Sequence, residues 1–102
     1  MKLMTKEIEN RMPKIRETES IRCADKIAQV KFFNPCGAAT WYGIEYDPEY
    51  RIFFGYVNLY GTPGDGEYGD FSLDELESVR LPFGLKIERD LHFNPTKMSE
   101  LV

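Results

Sequence analysis

Apolar and polar residues alternate through the middle of the chain, and this alternation predicts a group of β-strands. Three strands are predicted at 27–33, 39–46 and 50–58, and a shorter fourth at 67–71. Short turns rich in Pro, Gly and Asx separate them, and such turns join antiparallel neighbours. Alternation returns at 86–93, which is either a final strand or an extended tail across the core. We therefore expect an antiparallel meander sheet of about three to five strands.

Two short helices flank this predicted sheet in the sequence. In the first, apolar residues four positions apart lie on one helix face: Met4, Ile8 and Met12. Thr5 caps its start, and Pro13 ends it because proline cannot sit deep in a helix. Ser72 begins the second helix, because Glu75 follows three residues later at the spacing of a capping box. The predicted fold class is therefore α+β, with a short N-terminal helix and a short helix after the sheet.

The strands carry apolar side chains on both faces of the predicted sheet. If both turns keep the alternation in phase, one face becomes the main core, with Val30, Phe32, Tyr42, Ile44, Tyr46, Ile52, Phe54 and Tyr56. The opposite face, which we name the mixed face, combines aromatic and cationic candidates for binding: Lys31, Phe33, Trp41, Arg51 and Phe53. Such a set suits a protein-binding hot spot or the stacking of single-stranded bases. The alternative is that the first helix or the tail covers this face, because large exposed apolar patches are uncommon on small domains.

Length and charge narrow the class of partner. The chain has 102 residues, and we expect a single α+β domain over 1–102. Its net charge is -4, and the charge is uneven: residues 1–31 hold 8 Lys/Arg and 5 Asp/Glu, whereas residues 32–102 hold 5 and 12. An acidic body weakens binding to phosphate backbones, so we expect a protein partner first and nucleic acid as the alternative.

No stretch approaches the roughly 18 apolar residues of a membrane helix, and the charged N-terminus differs from a signal peptide. We therefore expect a cytoplasmic protein without a membrane partner.

Few residues are available for catalysis. The chain has one His and no nucleophile motif, which disfavours an ordinary hydrolase. On a strand, Glu88, Asp90 and His92 point the same way and form a weak candidate for a metal or acid–base site. The alternative is a solvated charged side of that strand, because zinc prefers more nitrogen or sulfur ligands. We therefore expect no cofactor and no catalytic residue, and we favour a non-enzymatic protein.

Arg89 and Asp90 are predicted to be structural. Alternation places Arg89 on the side of Ile87, Leu91 and Phe93, where an unpaired guanidinium is costly. We expect Arg89 to find a carboxylate or several backbone carbonyls, and so to clamp the tail onto the domain. Asp90 faces the other way and is free to cap the adjacent turn or helix.

Six stretches carry a resemblance that covers nearly the whole chain. They are MKLMTKEIE at 1–9, VKFF at 30–33, TWY at 40–42, FFG at 53–55, GDFSLDEL at 69–76 and PFGLKIERDLHFNP at 82–95. The chain resembles a small uncharacterised family, a domain of unknown function of bacterial plasmids, integrative elements and prophages. The resemblance implies an accessory role in the biology of mobile DNA and assigns no catalytic residue. Our leading hypothesis is a non-enzymatic accessory interaction module that binds a protein partner through the mixed face.

Overall fold

The computed structural model describes all residues, 1–102, and contains two short α-helices, seven strands and three short 3₁₀ segments, at Cys23–Asp25, Pro82–Gly84 and Met98–Glu100. The helices are α1 (Lys6–Arg11) and α2 (Leu73–Ser78). The strands are β1 (Ile27–Ala28), β2 (Val30–Phe33), β3 (Thr40–Asp47), β4 (Ile52–Asn58), β5 (Glu67–Ser72), β6 (Glu88–Arg89) and β7 (Thr96–Lys97). Strands β2 to β5 form an antiparallel meander, β6 pairs with β2 at its outer edge, and β1 pairs with β7 in a separate small sheet. The predicted α+β class and the meander are confirmed.

Both helices begin where the predicted caps lie. The hydroxyl of Thr5 accepts a hydrogen bond from the backbone N–H of Ile8 at 3.1 Å, and α1 ends just before Pro13. The hydroxyl of Ser72 accepts one from the backbone N–H of Glu75, also at 3.1 Å. The apolar sides of the two helices are buried against the same face of the sheet, through Ile8 of α1 and through Leu73 and Leu76 of α2. Met4 and Met12, which flank α1, are buried in the same cluster.

The side chains that share each face of the sheet differ from those predicted from the sequence. Phe32 lies opposite Trp41, and Tyr46 lies opposite Phe53, so each pair shares a face. Across both turns, an even-numbered residue therefore lies opposite an odd-numbered one. The prediction that even-numbered residues of all three strands share one face is wrong. A β-bulge between Gly43 and Glu45 adds one residue to β3. Beyond the bulge, the even- and odd-numbered side chains of β3 therefore point to opposite faces from those before it.

The sheet consequently has two apolar faces, and the chain covers both. The face covered by α1 and α2, which we name the helix face, holds Val30, Phe32, Trp41, Tyr46, Phe53 and Phe71. The other, which we name the tail face, holds Tyr42, Ile44, Phe54, Tyr56 and Tyr68, and the C-terminal residues Phe93, Met98 and Leu101 pack on it. The expected single main core is therefore two smaller clusters separated by the sheet.

Candidate functional site

The five residues of the predicted mixed face do not share a surface. Phe53 is completely buried in the helix-face cluster, and Trp41 packs against that same cluster. Lys31 and Phe33 alternate with Phe32 along β2, so they lie on the tail face. Arg51 lies in the turn between β3 and β4, where it forms ion pairs with two carboxylates of α2. The prediction of one mixed face is wrong, because the bulge and the turn phase separate its members.

Lys31, the cation of this set that lies beside an aromatic ring, already has a carboxylate partner. The ammonium of Lys31 lies 3.8 Å from a carboxylate oxygen of Asp90 and 5.9 Å from the ring centre of Tyr42. Burial raises the pKa of the Tyr42 hydroxyl, and the nearby charge of Asp90 raises it further. The tail face therefore has no unpaired positive charge beside its aromatic rings at this point.

The weak metal candidates Glu88, Asp90 and His92 do not converge. No group of three or more His, Cys, Asp or Glu side chains in the chain is placed to hold a metal ion. Strand β6 ends at Arg89, and the chain then turns, so the alternation that would align the three side chains stops. A carboxylate oxygen of Asp90 instead accepts a hydrogen bond from the backbone N–H of His92 at 2.9 Å.

Arg89 joins the edge strand β6 to the start of the chain. Its guanidinium donates a hydrogen bond to the backbone carbonyl of Lys2, and its backbone lies opposite Phe32. This is one carbonyl rather than the carboxylate or several carbonyls expected from the sequence. Asp90 accepts the hydrogen bond from the backbone N–H of His92 within the following turn. The contribution of Arg89 and Asp90 to stability stays a prediction.

A buried carboxylate that the sequence analysis missed holds the segment 13–22, which we name the strap. Glu45 is 3% exposed and accepts hydrogen bonds from the backbone N–H of Arg16 at 2.8 Å and of Thr18 at 3.0 Å, and also from the Thr18 hydroxyl. Burial alone would raise the pKa of Glu45, but these hydrogen bonds and the charge of Lys26 outweigh it and hold the pKa below its usual value. The bulge places this side chain on the tail face, opposite Phe54, and its only sequence signal is its position between Ile44 and Tyr46.

The strap also covers a cavity of about 580 Å³ beside Glu45. Lys26 lines it, is 5% exposed, and donates to the backbone carbonyl and hydroxyl of Thr18. The charged residues of the lining are three cations and three anions: Arg16, Arg22, Lys26, Glu19, Glu45 and Asp70. Since the charges balance and both buried groups bond to the strap, this arrangement holds a loop in place.

An exposed aromatic loop provides the strongest candidate for a binding surface. Two hydrogen bonds close the loop: the N–H of Leu81 donates to the carbonyl of Leu85 at 3.0 Å, and the N–H of Leu85 donates to that of Pro82 at 3.2 Å. Phe83, at the tip, has φ of 62° and is 97% exposed. Nothing lies within 4 Å of a Cβ built on Gly84, so the tip projects into solvent. The left-handed conformation costs an L-residue such as Phe about 1–2 kcal/mol.

A cavity of about 640 Å³ lies directly beside this loop. Its apolar lining comes from the N-terminus, α2 and the segment after the loop: Met1, Leu3, Leu76, Leu85 and Ile87. Gly84 also lines it, and Glu77, Lys86 and Glu88 provide the polar part of its wall. We name the loop tip and this cavity together the Phe83 surface. Its volume lies within the range of ligand-binding pockets in proteins.

In the sequence, Pro82, Phe83 and Gly84 are recognisable only as the residues that end the second helix. Their side chains gave no periodic pattern, and the exposure of Phe83 depends on whether another segment of the chain folds over it. The available signal was an aromatic residue between Pro and Gly, the residue types that build tight turns.

Comparison with known proteins places the chain in a family without assigning an activity. A family model described as a protein of unknown function (DUF2958) matches residues 3–101. No curated protein and no solved structure matches the chain. In the structure itself, none of the helices is long and apolar enough to span a membrane.

Proposed function

Because this chain belongs to the DUF2958 family of proteins of unknown function, we propose its function from its structure: a non-enzymatic interaction module that binds a protein partner through the Phe83 surface. The observation that carries the proposal is a phenylalanine that is 97% exposed at the tip of a closed loop. The proposal includes the accessory role in mobile DNA that the sequence resemblance implies, and a cytoplasmic location.

Phe83 does not help the fold. Burying a phenylalanine side chain stabilises a protein by about 1.5–3 kcal/mol, and Phe83 forgoes nearly all of that gain. Its positive φ adds a backbone cost. Residues held in strained conformations cluster at functional sites, and aromatic residues are enriched in protein interfaces. Binding to another protein accounts for both features, because it would bury the ring and use the conformation that presents it.

The loop is also prepared for binding before a partner arrives. Its two backbone hydrogen bonds and Pro82 restrict the chain on both sides of Phe83. A side chain presented by an ordered loop loses less conformational entropy on binding than one on a flexible loop. The adjacent cavity, five of whose lining residues are apolar, offers a second contact, into which an apolar side chain of the partner can insert.

Affinity capture from host cells tests this proposal. The tagged chain is compared with Phe83→Ala and with the matched control Tyr60→Ala, since Tyr60 is an aromatic residue 80% exposed on another loop. We expect a protein that is retained by the wild type and by Tyr60→Ala and is lost from Phe83→Ala. Identical sets of retained proteins for all three chains, together with a wild type that does not self-associate, would contradict the proposal.

The residues on which the nucleic-acid alternative depended do not form one surface. It needed Trp41 and Phe53 beside Lys31, and the two faces of the sheet separate them. Titration of the protein with a single-stranded oligonucleotide at low salt tests this directly. We expect the fluorescence of Trp41, the single tryptophan, to stay unchanged. Salt-dependent quenching would favour the nucleic-acid alternative over a protein partner.

A further inference from the structure

The Phe83 surface carries a projection and a recess side by side. Phe83 projects into solvent, while the next two residues, Gly84 and Leu85, line the cavity. A surface that holds both features is complementary to itself, because a two-fold rotation can place each projection over the other copy's recess. We propose that the Phe83 surface binds the same surface of a second copy of this chain, with each Phe83 entering the other copy's cavity. This inference rests on the proposed function and names the partner.

The charges of the cavity wall also fit a second copy. The wall carries Glu77, Lys86 and Glu88. Glu77 is occupied, because its carboxylate pairs with Arg51 at 2.5 Å. One side-chain cation and one side-chain anion are therefore left for a partner, and a two-fold rotation can bring Lys86 of each copy near Glu88 of the other. A strongly acidic or strongly basic partner would leave one of the two unpaired.

The exposed apolar residues of the surface account for the driving force. Phe83 is 97% exposed, Met1 69% and Leu85 40%, and all three lie at the loop or the cavity. An interface built on so few side chains falls in the small class of protein contacts. We therefore expect a weak dimer, with a dissociation constant of about 10 µM to 1 mM.

Sedimentation equilibrium over that concentration range measures the association. The wild type should move from its chain mass of 11.9 kDa towards twice that value as concentration rises. Phe83→Ala should raise the dissociation constant at least about tenfold, and Tyr60→Ala should leave it unchanged. A wild type that stays monomeric up to about 1 mM, or a dimer unaffected by Phe83→Ala, would overturn the inference.

A mixing experiment separates this geometry from a general loss of stability. Phe83→Ala removes the projection but keeps the cavity, whereas Leu85→Glu keeps the projection and places a charge in the cavity. Each variant alone should be monomeric, and an equimolar mixture should associate, because one intact contact forms between unlike copies. A mixture no more associated than its components would contradict the inference. Unfolding midpoints confirm that both variants fold, and Leu85→Gln replaces Leu85→Glu if the charge prevents folding.

The outcomes also distinguish this inference from the proposed function. A monomeric wild type that still retains another protein through Phe83 overturns the second copy as partner and leaves the interaction module standing. A monomeric wild type whose retained proteins do not depend on Phe83 overturns both.

Discussion

Replacing Phe83 should make the protein more stable or leave it unchanged, in contrast to the usual result for an aromatic residue. The side chain is 97% exposed, so Phe83→Ala removes almost no packing and should stay within about 0.5 kcal/mol of the wild type. Phe83→Asn keeps a side chain but suits φ of 62°, because Asn tolerates the left-handed region far better than Phe. We expect Phe83→Asn to raise the free energy of unfolding by about 0.5–1 kcal/mol.

Urea denaturation at low micromolar protein, below the expected dimer range, measures this change. The midpoint should rise for Phe83→Asn with an unchanged slope, and the melting temperature should rise by about 2–6 °C. Phe53→Ala is the positive control, since Phe53 is fully buried and its loss should cost about 3–5 kcal/mol. If Phe83→Ala costs more than about 1 kcal/mol, the ring packs on the domain. If Phe83→Asn is not stabilising, no strain is stored at the tip. Either result would refute the reasoning.

Three further predictions concern the supports of the fold, each measured by urea denaturation. Glu45→Gln should cost about 1–3 kcal/mol of the free energy of unfolding at pH 7, because the carboxylate accepts hydrogen bonds from the strap. The lowered pKa of Glu45 in the folded state gives stability that is lost as the carboxylate protonates, so the cost should shrink below about pH 4.5, and a pH-independent cost would contradict this. Arg89→Ala should cost about 1–2 kcal/mol, because it removes the hydrogen bond to the backbone carbonyl of Lys2, and His92→Ala should cost less than about 0.5 kcal/mol. Equal effects of the two substitutions would show that Arg89 does not hold the tail in place. Gly55→Ala should prevent folding or cost more than about 3 kcal/mol, because its Cβ would lie 1.8 Å from the Tyr42 carbonyl oxygen. Gly69→Ala has open space and should cost nothing, so similar costs at the two positions would contradict the close contact at Gly55.

Sequence patterns identified the elements because the forces that start and end them are local. The hydroxyl of Thr5 bonds an N–H three residues away, and so does that of Ser72, so both helix starts are visible in the sequence. The sheet faces are not local, since they depend on turn phase and on the extra residue near Gly43. The two turns and the bulge each change the phase, and together they place Phe53 in the core instead of on the predicted binding surface.

The candidate sites depended on the same non-local information. Glu45 lies in an acid-rich stretch, and only the bulge turns it under the strap, where three donors meet it. Phe83 lies in a short turn with no periodic pattern. Its side chain is exposed because no other segment of the chain folds over it. Local patterns predict which residues turn the chain, but the packed structure decides which of them stay in contact with water.

Photo-cross-linking from position 83 tests the central claim most directly. The photoreactive p-benzoylphenylalanine replaces Phe83 in one preparation and Tyr60 in a control, and both are irradiated in host cells. The account predicts a protein adduct at position 83 and none at position 60, because only the Phe83 surface faces a partner. An adduct of twice the chain mass identifies the second copy, and an adduct with a different protein supports the interaction module but not the dimer. Equal labelling at the two positions, or none at position 83, would contradict the claim that Phe83 is a binding residue.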